Sequence, residues 1–280
     1  MIGVERLLLG THLALLREQA RLTTRQAAAA VRRPVAEIGQ IERGEVPATE
    51  RVVGDLLSRY AAPQPDRAQA EIWRSAPYST AAQCTEPSPV ISRVRADLTT
   101  HAYTVRTWDR YALPLPLQTA DYARARLEMT HITLSDLDTV AQNHSWMPEP
   151  GQHMSTVLGE ETLESLDPTV MADQLAHLLK IINMGSVSVR IAPAGSVPRG
   201  QNTTLLTLPT VSVTIQDEPG TATYATGDDH LYTAITLLDH ADHQALDEAT
   251  SVRIIRSAMA RHRQAGRKRP ARTPGTQENW

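Results

Sequence analysis

The chain has 280 residues, 41% of them hydrophobic, and a formal net charge of -3. That length holds a small domain beside a larger one with a sizeable core, and the slight acidity excludes a protein that coats nucleic acid by bulk charge. A single cysteine, Cys84, excludes an intrachain disulfide and a cysteine-rich zinc site, as expected of a reducing cytoplasm. No apolar run reaches the roughly 20 residues that a membrane span needs, and neither a secretory leader nor a membrane partner is expected.

Charge is concentrated at both ends. Nine Arg face seven acids between Met1 and Tyr60, and the stretch from Arg261 to Arg272 is basic without an acid. From Glu5 to Gln19, Leu8, Leu9, Leu13, Leu15 and Leu16 recur at helical spacing. Thr23 followed by Gln26 is a capping-box pattern that opens a second helix, Thr24 to Ala30. Pro34 suits the first position of a third helix, which Gly44 ends. Thr49 caps a fourth helix reaching Tyr60, with Val52, Val53, Leu56 and Leu57 inward.

Residues 1–62 therefore read as an all-α head with a turn of about three residues between its second and third helices, the order that a major-groove reader requires. In that geometry the start of the third helix meets base edges and the ends of the second helix meet phosphates. Arg33, Pro34, Val35, Ala36 and Gln40 fall to the groove, with Gln40 suited to adenine and Arg33 to guanine; Thr23, Thr24, Arg25 and Arg43 fall to the backbone. Ile38 and Ile41 are core positions, and Glu42 is expected to pair with an arginine such as Arg17.

Residues 63–90 contain five prolines and read as a connector with at most a short helix near Ala68 to Arg74. Residues 91–263 read as an α+β body. It has a helix at Ser92 to Thr100, a strand at Tyr103 to Leu113 and a helix capped by Thr119. A helix at Ser135 to Asn143, a strand at Ser155 to Leu158 and an amphipathic helix at Pro168 to Met184 follow. The period then changes to two at Val187 to Ile191, Thr203 to Leu208, Val211 to Gln216 and Thr221 to Thr226, which predicts a small antiparallel sheet. A long helix from Asp229 to His262, broken near Asp239 to His243, precedes a basic tail, residues 264–280, expected to be disordered.

Candidate chemistry in the body is sparse. His240 and His243, with Asp239 or Asp229, have a spacing that could share a metal, although chance histidines on a helix surface are commoner. Glu160, Glu161 and Glu164 could supply an acid and a base, but hydrogen-bonded turn residues are the commoner outcome. Cys84 has no histidine near it in sequence, and no Gly-rich loop is present to cradle a phosphate. No catalytic residue, metal or cofactor is assigned. Trp108, Gln118, Tyr122, Trp146 and Glu160 are the candidate lining of a ligand or partner pocket.

Leu16-Arg17, Gln26-Ala27, Ile38 and Ile41-Glu42-Arg43-Gly44 resemble the shared pattern of Xre/Cro-type regulators over Leu9 to Tyr60. Leu113 to Thr119, Asp121 to Arg124, Val157 to Leu163, Met171 to Leu175 and Val187 to Pro193 resemble actinomycete regulators that join such a head to a C-terminal domain of unknown function. The resemblance implies a sequence-specific regulator of double-stranded DNA, acting as a homodimer on paired half-sites. Its body would answer to a small-molecule effector or to a small cognate protein, as in antitoxin-like pairs. Residues 143–153 depart from the family's pattern. A member repurposed as a biosynthetic enzyme or small-molecule-binding protein, and an antitoxin-like interaction module, remain the alternatives.

Overall fold

The computed structural model describes residues 2–76, 83–87, 92–128, 149–197, 202–218 and 221–268. The head is built from α1 (Val4–Gln19), α2 (Thr24–Val31), α3 (Val35–Glu42), α4 (Glu50–Arg59) and α5 (Gln64–Ser75). Local chemistry sets their ends. The Thr23 hydroxyl accepts from the Gln26 N–H at 3.2 Å while the Gln26 side chain accepts from the Thr23 N–H at 2.8 Å, the two halves of a capping box. Thr49 caps α4 one-sidedly, its hydroxyl accepting from the Val52 N–H at 3.4 Å. Gly44 leaves α3 with φ +71°, and a Cβ there would meet Leu7 Cα at 2.9 Å; only glycine both adopts that backbone and lets α1 approach.

The body is a seven-stranded sheet in the order β1-β7-β6-β5-β2-β3-β4. Its strands are β1 (Gln83–Pro87), β2 (Thr104–Asp109), β3 (His153–Gly159), β4 (Val187–Ala192), β5 (Asn202–Thr207), β6 (Ser212–Glu218) and β7 (Thr221–Ala225). The sheet is larger than the period-two segments predict and it is mixed, with β2, β3 and β4 parallel and the rest antiparallel. The α+β class stands; the expectation of a small, purely antiparallel sheet is corrected. Parallel neighbours need a long crossover, and β3 reaches β4 through a 3-10 turn, Glu160–Glu164, and helix α8 (Pro168–Ile182).

Four further helices cover the sheet: α6 (Arg93–Thr100), α7 (Ala120–Glu128), α9 (Asp228–Gln244) and α10 (Glu248–Lys268). Ser92 caps α6. The expected long C-terminal helix is broken at Ala245 to Asp247, a few residues later than its sequence suggests, and the Asp247 carboxylate caps α10 through the Thr250 N–H at 2.8 Å. Side chains alternate across each strand. One face carries Trp108, Val157, Ala192 and Leu205 beneath Leu238 and Ala241 of α9. The other carries Val105, Met154, Leu158, Val189, Ile191, Val213, Ile215 and Tyr224 in a cluster that continues through α6, α8 and α10.

That cluster also runs without a break into the head, through Val4, Leu8 and Leu13 of α1. α1 is buried on nearly every side, packing on α3, α4 and α5 and also on α6 and β1. The described parts of the stretch expected as a connector, residues 63–76 and 83–87, are correspondingly structured. α5 buries Trp73 under α1, edge-on to the His12 ring at 5.4 Å, and β1 pairs with β7 across the far edge of the sheet. The tail expected from residue 264 is still helical to Lys268, beyond which the described residues end, and the helix expected at Ser135 to Asn143 lies outside them.

Candidate nucleic-acid interface

The turn between α2 and α3 is made by Arg32, in the left-handed region at φ 54° and ψ 49°, by Arg33, and by Pro34 at φ -59°. Pro34 precedes the helix rather than occupying its first turn. Ile38 and Ile41 point into the head core, which turns the opposite face of α3 outward. Val35, Ala36 and Gln40 stand exposed on that face, with Arg33 just before it and Arg43 at its C-terminal end. Val35 is 45% exposed.

The backbone-contact candidates border this face. Thr23 and Arg25 are exposed and Thr24 is half-buried at the start of α2. Arg33 pairs with Glu37 at 3.4 Å and Arg43 with Glu45 at 2.7 Å. Exposed pairs of this kind are worth about 0–1 kcal/mol and exchange readily for a phosphate. Arg21, Arg25 and Arg32 form no ion pair among the described residues. Sequence reasoning missed Arg21 and Arg32; their only local signal is a basic residue at each turn flanking α2.

Behind the face, Arg17 of α1 grips Glu42 of α3 with two bonds of 2.7 and 3.1 Å and donates to the Leu22 carbonyl at 3.0 Å. One guanidinium thus ties α1, the α1–α2 turn and α3 together, the partnership expected for Glu42. A Cβ on Gly10 would collide with the Ile41 and Glu42 carbonyls, so α3 lies directly on the α1 backbone.

α1 in turn leans on α6, and α6 is anchored by a buried polar row across the sheet. Arg95 reaches down to Asp217 of β6 at 2.5 and 2.9 Å and to Thr204 of β5 at 3.5 Å. Glu86 of β1 accepts from Tyr224 of β7 at 2.5 Å and from Ser92 at 2.8 Å, and Thr107 and Thr156 bond each other at 2.6 Å. Burial pushes the Asp109 carboxyl up to about 7 and also raises Glu86. Burial opposes the Arg95 charge, but Asp217 outweighs it and holds the guanidinium above its ordinary value. The Asp109 Oδ2 is buried with no hydrogen-bond partner among the described residues. None of these five principal residues, Glu86, Arg95, Asp109, Asp217 and Tyr224, stands out in the sequence, because each reads as an ordinary surface or core residue until β1, β6 and β7 are paired.

Residues 93–257 match a family model described as a domain of unknown function, DUF5753. The chain belongs to the DUF5753 family. Residues 8–70 match a helix-turn-helix domain model, and the head is a helix-turn-helix. No curated protein matches. A solved structure described as "Structure of TrmBL2, an archaeal chromatin protein, shows a novel mode of DNA binding" has a TM-score of 0.31 and 10% identity over 80% of this chain and 87% of that one.

Within the DUF5753 body the candidate pocket residues do not gather in one cleft. Trp108 is buried under α9, on the opposite face of the sheet from Tyr122. Gln118 and Tyr122 do meet, both on Leu113: its carbonyl accepts from Gln118 at 2.7 Å and its N–H donates to the Tyr122 hydroxyl at 3.1 Å. Glu160 is exposed and accepts weakly from the Ala194 N–H, while Trp146 lies outside the described residues. Glu161 goes to Arg110 and Glu164 to Arg261 and His262, so the three carboxylates serve separate partners. Asp239 and Asp242, the acids beside His240 and His243, both clamp Arg106, at 2.7 and 2.8 Å. Cys84 is buried in β1, and its thiol is pushed up to about 11 by burial, with Glu5 adding to the effect. It is a core residue.

Proposed function

We propose that this DUF5753 protein is a sequence-specific transcription regulator of the Xre/Cro type that lays α3 in the major groove of double-stranded DNA. The observation that supports this best is the outward face of α3, together with Arg25 in the first turn of α2 and Arg21 and Arg32 at the turns flanking α2, which form no ion pair among the described residues. Arg33 and Gln40 read base edges, Val35 and Ala36 contact thymine methyls, and Thr23, Thr24, Arg25 and Arg43 hold phosphates. The protein works in the cytoplasm as a homodimer on half-sites about one helical turn apart. The body adjusts that activity in response to an effector or a partner protein.

Fluorescence anisotropy of the full chain on the DNA upstream of its own coding sequence, against scrambled competitor and across a salt series, tests the reading. The double variant Arg33→Ala, Gln40→Ala is expected to lose about 1–3 kcal/mol per base contact and to read sequence poorly. Arg25→Ala and Arg32→Ala are expected to weaken both DNAs alike, each reducing the salt slope by about one. Equal affinity for both DNAs, unchanged in the double variant, would overturn it.

A further inference from the structure

Helix α10 has two unlike faces. Ser251, Ile255, Ala258 and His262 recur at helical spacing and are buried, which fixes the rotation of the helix against α8 and β4. The opposite face carries Arg253, Arg256, Ala260, Arg263, Gln264 and Arg267, all exposed. At 1.5 Å of rise per residue the four arginines extend over about 21 Å. From Glu248 to Lys268 the sequence holds six Lys or Arg and one acid, in a chain whose net charge is -3.

Four cations on one face repel one another. Arg253 and Arg256 stand at i,i+3 and Arg263 and Arg267 at i,i+4, spacings at which like charges destabilise a helix. No carboxylate is interleaved with them. Glu248 accepts from the Ser188 hydroxyl of β4, and Arg261, beside the row, takes Glu164 at 2.7 Å. Arg256, Arg263 and Arg267 form no ion pair among the described residues. Arg253 donates to the Thr250 hydroxyl at 2.8 Å and lies within electrostatic reach of Asp247, short of an ion pair. The helix macrodipole favours cations in the last turn and so accounts for Arg267 alone. The exposed residues between the arginines, Ala260 and Gln264, are small or polar, and the row offers no aromatic or large aliphatic anchor of the kind that carries a protein interface. A straight cationic row without an apolar anchor is the complement of a phosphate backbone, which is held by charge and polar contacts.

We infer that α10 is a second DNA contact, holding the phosphate backbone of a duplex through Arg253, Arg256, Arg263 and Arg267 without reading its sequence. It is separate from the face of α3. α1 packs on β1 at one edge of the sheet and α10 on β4 at the other, six strand spacings or about 29 Å apart. The inference rests on duplex DNA being the partner, as proposed above, and not on which side chains of α3 read bases. Such a contact raises affinity for all sequences alike.

The test titrates the full chain by anisotropy against a scrambled duplex across a salt series. Arg253→Gln, Arg256→Gln, Arg263→Gln and Arg267→Gln combined, a change that keeps helix propensity, should weaken binding at low salt by roughly tenfold or more and reduce the salt slope by about 3–4. The melting temperature and the ratio of upstream to scrambled affinity should not change. The four corresponding Lys substitutions should keep the slope. Added to Arg25→Ala and Arg32→Ala, the Gln set should give summed slope losses, because the two contacts are apart. On the unaltered chain, bound duplex should slow phenylglyoxal modification of the four arginines, read by mass spectrometry. An unchanged slope in the Gln variant, unslowed modification, or polyglutamate bound as tightly as the duplex would overturn the proposal, the last by giving the row to an acidic protein. Failure of base reading by α3 would show instead as equal affinity for upstream and scrambled DNA, with the slope losses on α10 intact.

Discussion

The two regions joined by α1 bury different chemistry. In the head the space between the helices is filled by Leu8, Leu13, Ile38, Val53 and Leu56, all nearly inaccessible, and its one strong ion pair, Arg17 with Glu42, sits at the margin. Beneath α6 an arginine, two carboxylates and a tyrosine are sealed between helix and sheet, with the half-buried Asp217 at their edge. Apolar packing is insensitive to small changes in composition, whereas a buried ionic row is intolerant of a missing partner. The head is thus built to hold a shape, and the seam behind it is the place where a single altered charge is felt.

The sharpest way to break that contrast is Arg95→Met. The half-buried Asp217 and the buried Glu86 and Asp109 would be left without their cation, and a loss of about 3–5 kcal/mol is expected in urea unfolding. Adding Asp217→Leu should restore much of it. A loss under about 1 kcal/mol would show that water already relieves the row.

Next comes Leu13→Ala in α1, expected to cost about 2–5 kcal/mol. Because one core runs from α1 into the sheet, Trp73 in the head and Trp108 in the body should report the same midpoint. Separate midpoints would mean that the two regions fold independently despite their contact.

The effect of Asp109→Asn depends on pH. With its folded value raised to about 7 from an ordinary 3.8, Asp109 binds more proton in the folded than in the unfolded chain between those values. Its contribution to stability is therefore favourable in acid and lost as pH rises from about 4 to 7. The substitution should raise stability at pH 8, do little at pH 4, and flatten the pH profile between. An unchanged slope would place the titration elsewhere.

Legibility in the sequence followed the range of the interactions. Helix caps and turn glycines act within a few residues, so Thr23 with Gln26, Thr49, Ser92 and Gly44 all announce their elements. Strand alternation is equally local, and β4 to β7 could be read from it. β1 could not be: Gln83-Cys84-Thr85-Glu86-Pro87 has no apolar alternation and becomes a strand only because β7, far along the chain, supplies its partner. The same holds for the parallel pairing of β2 with β3 and β4. On α3 the exposed residues were legible because the inward Ile38 and Ile41 fix the helix's rotation.

The burial of α1 bears on what can be cut from this molecule. An N-terminal reader strung on a loose tether can be removed or grafted elsewhere as a cassette. Here excision of residues 1–60 would strip cover from Cys84, Val94 and Leu98, all members of the same continuous core, and expose apolar surface of the kind that drives aggregation. A silent truncation would therefore report a collapsed body and say little about lost DNA recognition. The proposed DNA recognition has to be tested at the outer surface of the head, one side chain at a time.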